Sequence, residues 1–165
     1  MSRLRLSSEV LPPPRARLFA RLLRLLDRLQ ERLQPSRRRP AAHRLGQRGE
    51  ESAAWLLHEH GYTIVARNYR DAPGRSGGRG EIDLIAYEGV PPTLVFVEVK
   101  TRSREGRFPA ERAVNQAKRR HLSRLARAYR RKRHYTGPYR FDLVIIYGLD
   151  TPHPRLKLHR DAFRD

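Results

Sequence analysis

The sequence predicts an α/β protein in three layers, with a mixed central sheet between helices and a basic amphipathic helix in front of it. Three observations predict it. Segments 80–86 and 94–102 alternate apolar and polar side chains with period two and are rich in β-branched residues, so each reads as a strand with two distinct faces. Residues 110–133 carry apolar residues at helical spacing, and 141–146 form an almost uninterrupted apolar run suited to a strand covered on both sides. Strands joined through a helix run parallel by the crossover rule, whereas the two joined by the turn at 88–93 run antiparallel, which makes the sheet mixed.

In chain order, Leu18, Phe19, Leu22, Leu25, Leu26, Leu29 and Leu33 recur at helical spacing, with Arg17, Arg21, Arg24, Arg28 and Arg32 between them. This basic amphipathic helix, over residues 17–34, lies between Pro12-Pro13-Pro14 and the linker Pro35-Ser36-Arg37-Arg38-Arg39-Pro40. Its readings are packing or self-association, contact with a membrane surface or a partner, added nucleic-acid affinity, or a segment upstream of the true start. Residues 1–49 hold 13 arginines and three acids, so more than half of the formal charge of +19 sits at the front. The expected division is a basic extension over 1–43, a domain over 44–148 and a tail over 149–165.

Residues 45–60 read as a helix with Ala53, Ala54, Leu56 and Leu57 on one side and Gly61 as its stop. Residues 62–68 read as a first strand, with Tyr62, Ile64 and Ala66 alternating against polar or smaller partners. The glycine-rich stretch 71–80 is a loop, either a tolerated insertion or an arginine-bearing flap over a phosphate backbone. The outer face of the 110–133 helix is a ridge of lysine and arginine, and 140–147 is the buried strand. From Gly148 onward the pattern is loop, with one edge strand at 156–158.

A charge of +19 concentrates polyanions, nucleic acid before anionic membrane. The chain has no cysteine, which excludes disulfides and thiolate metal sites. The seven histidines lack ligand spacing, with His58 and His60 pointing apart on a helix, and no phosphate-cradling glycine loop or nucleophile elbow occurs. Without a secretory signal or an 18-residue apolar stretch, the expected location is the cytoplasm.

The hairpin carries the chemistry. Glu81, Asp83 and Ile85 share one face of its first strand, and Glu98 and Lys100 share one face of its second. A register that sets Asp83 opposite Glu98 brings their Cβ atoms within about 5 Å, and like charges that close are unfavourable unless neutralised. A divalent cation, with Lys100 beside it, is one neutraliser; arginines on a solvated face are another. Ile82, Leu84 and Ala86 with Val95, Val97 and Val99 make one full apolar face, while Ile85, Leu94 and Phe96 bury part of the other. The acids therefore stand at the edge of a core.

Asp83 followed by Glu98-Val99-Lys100 resembles the PD-(D/E)xK nuclease signature without its proline. Together with Leu45-Gly46, Gly49-Glu50, Gly61-Tyr62, Arg67-Asn68-Tyr69-Arg70 and Arg140-Phe141-Asp142, these segments resemble the bacterial YraN-like family over residues 44–147. That family is similar to archaeal Holliday junction resolvases. The resemblance implies a restriction-endonuclease-like core and a Mg²⁺-dependent endonuclease acting on DNA, branched DNA included, with Mn²⁺ as a substitute. It places Glu50, Asp83, Glu98 and Lys100 in catalytic roles, with Glu50, Asp83, Glu98 and the Val99 carbonyl as metal ligands. Lys100 would position the attacking water or stabilise developing negative charge. Nucleic-acid contacts are expected at Arg67, Arg70, Arg102, Lys118, Arg119 and Arg120, with RNA as a second polyanion that fits. Phe108-Pro109 stands where the family has Phe-Gly, so the local turn differs. Resolvases cut two strands symmetrically, which implies a homodimer. The alternatives are a nucleic-acid-binding module without turnover and an interaction protein tethered by residues 17–34.

Overall fold

The computed structural model describes residues 8–10, 41–71, 80–104 and 113–164. The amphipathic helix expected at 17–34 and most of the glycine-rich loop at 71–80 lie outside the described residues. The elements in chain order are β1 (Ser8–Val10), α1 (Ala41–Glu59), β2 (Thr63–Tyr69), β3 (Ile82–Glu88), β4 (Thr93–Arg102), α2 (Gln116–Lys132), β5 (Tyr139–Tyr147) and β6 (Arg155–Phe163). Five long strands form a sheet in the order β6-β5-β4-β3-β2, and the short β1 pairs with the free side of β6. Only β4 and β5, joined through α2, pair in parallel; every other neighbouring pair is antiparallel.

The sheet separates two cores. On one side Ala53, Ala54, Leu56 and Leu57 of α1 pack on Leu84, Ala86, Val95, Val97, Val144 and Ile146. On the other, Leu122, Leu125, Ala126 and Tyr129 of α2 pack on Ile85, Phe96, Phe141, Leu143 and Ile145. The layering is thus helix, sheet, helix, and β5 is apolar on both faces because both are covered.

Local chemistry sets the helix ends. α1 stops where Gly61 takes φ +80, with Gly61 N donating to His58 O and Tyr62 N to Leu57 O, a glycine-terminated Schellman closure. α2 begins later than the 110–133 periodicity suggests. The Asn115 side chain accepts a hydrogen bond from Lys118 N at 2.9 Å, and a capping asparagine fixes the first turn whatever the apolar pattern before it.

Two strands depart from simple alternation. In β2 the register shifts between Ile64 and Ala66, so Ile64 packs with the α1 core and Ala66 with the α2 core rather than sharing a face. In β6 a shift opposite Phe141–Leu143 coincides with Asp161 at φ +49; Leu156 and Leu158 serve the α1 core, and Ala162 and Phe163 the α2 core. The expected short edge strand at 156–158 is therefore a nine-residue strand, paired on both sides. Residues set apart as a tail belong to the sheet, because a bulge hides their alternation.

Centred on Asp142, opposite Val97 in the β4–β5 ladder, and reaching toward the hairpin turn through Arg140 and Glu88, lies a buried polar network. Asp142, with no exposure, accepts from Tyr62 OH at 3.0 Å, from Arg140 Nε at 2.9 Å and Nη2 at 3.1 Å, and from Asp161 N at 2.9 Å. Arg140 also reaches Glu88 at 3.1 Å. Burial, then the Asp142 charge, pushes the Tyr62 hydroxyl pKa up, so it remains a donor. The Gly61-Tyr62 and Arg140-Phe141-Asp142 motifs meet here as structure. Asp142→Ala, which strands a half-buried guanidinium, is expected to cost about 3–5 kcal/mol in urea denaturation, and Tyr62→Phe about 1 kcal/mol. A loss below about 1 kcal/mol for Asp142→Ala would contradict a structural role.

Candidate active site

The β3–β4 ladder runs from Glu88↔Thr93 to Leu84↔Val97, the register that sets Asp83 across from Glu98 one step further. Pairing stops there, and Val99 N donates to Asp83 Oδ2 at 2.7 Å. The Asp83 carboxylate thus takes the place of a backbone acceptor where the strands part. Ile82 next to it packs with the α2 core, not with Leu84 as simple alternation predicts.

Asp83 and Glu98 are both buried, at 8% and 2% exposure. Two lysines reach Glu98. Lys100 Nζ donates to Oε1 at 2.7 Å, and Lys118 Nζ, from the first turn of α2, lies 3.0 Å from Oε2 and 3.2 Å from the Glu81 carbonyl. Oε2 is fully buried and receives no hydrogen bond of good direction, so its contact with Lys118 is a charge contact. Among the described residues no lysine approaches Asp83 as closely. Burial first, and the Glu98 charge second, raise its pKa to about 7, against the Val99 amide and Lys118, which lower it.

Tight packing admits the neighbouring residues. A Cβ on Gly49 would stand 2.5 Å from Thr101 Oγ1, so glycine lets α1 approach β4 and carry Glu50 to the site. A Cβ on Gly80 would collide with the His121 ring on α2. Glu50 is half-buried; its pKa is raised mainly by burial, with a hydrogen bond to Asn68 opposing and Glu81 adding to the rise. Asn68 holds φ +50, a conformation asparagine tolerates better than most residues. Its role at Glu50 was not legible in the sequence.

The structure gathers Asp83, Glu98, Lys100 and Lys118, with Glu50 close enough to influence Asp83. Lys118, expected among the nucleic-acid contacts, neutralises Glu98 inside the site. Arg70 stands at its rim, 2.8 Å from Glu81, and Arg67 and Arg102 are exposed. Arg119 instead packs, its Nε donating to Val114 O and its guanidinium 5.5 Å from the centre of the Phe163 ring. Arg120 is exposed and reaches Gln116 at 3.3 Å.

Among the described residues no three acid or histidine side chains stand close enough to cage a metal ion by themselves. Mg²⁺ does not require that, since it is commonly held by one or two carboxylates plus waters and substrate phosphates. Asp83 and Glu98 fit this mode: hard oxygens, one of them buried without a hydrogen bond, on two acids whose charges repel. Among the described residues no helix is long and apolar enough to cross a membrane.

The model of the uncharacterised protein family UPF0102 matches residues 49–146, which contain all of these groups. The chain belongs to this family. A UPF0102 protein of Koribacter versatilis is 42% identical over 148 residues, covering 89% of this chain and 96% of the relative. One from Solibacter usitatus is 40% identical over 143 residues, covering 86% of this chain and all of the relative. Another, from Symbiobacterium thermophilum, is 45% identical over 124 residues, covering 74% and 98%. The YraN-like resemblance read from the motifs is thereby established as family membership.

The folded pKa of Asp83, about 7, lies above its ordinary 3.8, so the folded state binds this proton more tightly and loses stability as pH rises through about 7. The metal-free protein is expected to melt higher at about pH 6 than at about pH 8, and Asp83→Asn to flatten that difference. Calorimetry at the two pH values checks both; an unchanged slope in the variant would mean that Asp83 is not the titrating group.

Proposed function

We propose that the chain is a divalent-metal-dependent endonuclease with a restriction-endonuclease-like core, cutting DNA phosphodiester bonds, with branched DNA among the substrates to test. The observation that carries the reading is the convergence of Asp83, Glu98 and Lys100 at the parting of β3 and β4, in a protein of charge +19. Two buried acids that repel phosphate serve no purpose in binding DNA alone. Mg²⁺ or Mn²⁺ bound there would polarise the scissile phosphate and activate a water.

The chain's own groups supply the rest. Asp83 and Glu98 stand close enough for their charges to act on one another, and the Val99 amide fixes the orientation of Asp83. Lys100, two residues from Glu98 on the same strand face, carries three donors on a flexible stem and is suited to orient the attacking water or meet charge developing on the phosphate. Lys118 offsets the Glu98 charge and would be released from it when a cation enters. Glu50 adds a half-buried acid at the edge. A homodimer would provide the two sites that symmetric strand cutting requires. A cytoplasmic location fits the substrate.

One observation favours a second reading, a nucleic-acid-binding module without turnover: both Glu98 oxygens already face lysines, which leaves the local charges balanced as they stand.

Labelled duplex, single-stranded and four-way-junction DNA, incubated with Mg²⁺ or Mn²⁺, separate the two. Wild-type protein is expected to cut, Glu98→Ala to lose cleavage while still binding, and Lys100→Ala to slow it by about 10²–10³-fold. DNA binding with no Glu98-dependent cleavage under either metal would establish the module.

A further inference from the structure

At the far end of α2 from the acids, a shallow pocket of about 430 Å³ is lined by Arg127, Arg130, Arg131, His134, Tyr135 and Thr136. Among the described residues no carboxylate lines it. The Arg130 guanidinium carbon stands 4.0 Å from the centre of the Tyr139 ring, while Arg130 Nε is buried without a hydrogen-bond partner. The cation–π contact over the Tyr139 ring limits how far the guanidinium can move.

The backbone supports the same assignment. Tyr135 N donates to Arg130 O and His134 N to Arg131 O, closing the helix in the pattern that ends α1. In α1 the left-handed position is Gly61, and here it is His134 at φ +50. Glycine adopts that conformation without the steric cost of a side chain. A histidine there adds a ring with a hydrogen-bonding nitrogen beside three arginines.

We propose that this pocket is a second phosphate-binding site, seating a backbone phosphate of the nucleic acid whose scissile bond lies at Asp83 and Glu98. The proposal rests on the nucleic-acid reading above and deepens it by adding a distal anchor. Lys118 and Arg131 are 13 residues apart on one helix, about 20 Å at 1.5 Å per residue. That span equals about six base pairs of duplex rise, so one strand can occupy both sites. Anionic lipid is the weaker occupant, because the firmest surface adsorption adds apolar insertion to charge attraction. The exposed large apolar residues among those described are Val65, in β2, and Val90, in the hairpin turn, neither of them at the pocket.

Arg127 and Arg131 are exposed, so R127Q/R131Q leaves the core intact. Binding of the full chain to a labelled duplex of about 20 base pairs, followed by anisotropy over a salt series, is expected to weaken by about tenfold, with the salt slope reduced by about one for each phosphate that is no longer neutralised. H134G separates structure from binding: the melting temperature should rise while duplex affinity falls. The pocket assignment is overturned if both variants bind duplex within about twofold of wild type with the same slope, if wild type binds no DNA, or if the variants are impaired only in binding anionic vesicles. Should R127Q/R131Q fail to fold, H134G decides alone. A Glu98→Ala protein that binds with the wild-type slope, together with absent cleavage by the wild type, would count against the nuclease reading and leave the pocket standing.

Discussion

The Glu98 carboxylate is almost wholly removed from water, and a charge in that position persists only where cations reach it. Lys100 comes from the same strand and needs no second element to place it. Lys118 comes from another layer, so α2 must begin where its first turn overlies the end of β4. The Asn115 cap fixes that start, and the absence of a side chain at Gly80 lets the helix lie close. On the opposite face Gly49 does the same for α1, which brings Glu50 toward Asp83. Seated on the two apolar cores, both helices thereby bring a charged side chain to the buried acids.

One row along the β4–β5 ladder, on the other face of the sheet, a buried charge is handled differently. Asp142 is met by a forked guanidinium, a hydroxyl and a backbone amide, which leave it fully hydrogen-bonded. Arg140 is fastened further to Glu88, itself within reach of Arg160 at 3.4 Å. At Glu98 the partners are ammonium groups on flexible stems, and one oxygen has no directed hydrogen bond. A rigid fork with all three nitrogens engaged suits a joint in the framework; point charges that can swing away suit a site that exchanges partners. The motif residues of the family divide along this line, with Tyr62, Arg140 and Asp142 in the framework and Glu50, Asp83, Glu98 and Lys100 at the site.

Much of the candidate site was legible because it lies on two strands next to each other in sequence. Period-two alternation fixed which residues share a face, a short turn fixed the antiparallel pairing, and the register between Leu84 and Val97 is the one those patterns require. Lys118 stands out in the sequence by its place on a basic helix, but its approach to Glu98 does not, since periodicity alone cannot say how far along a strand a helix begins. Arg119 was counted with the exposed ridge, whereas it folds back on Val114 and Phe163, the latter on a strand that alternation did not reveal.

By itself the sequence determined the layers, the parallel crossover between β4 and β5, the stop at Gly61 and the nearness of the two acids, because each depends on chemistry within one element or across one short connection. Only the tertiary structure decided the bulges in β2 and β6, the full length of β6, the approach of Lys118 to Glu98 and the closure of Tyr62 on Asp142. A bulge reverses which face a residue takes without altering composition, and contacts 20 residues apart (Lys118 and Glu98) or 80 apart (Tyr62 and Asp142) exist only once the sheet has set the spacing between its ends.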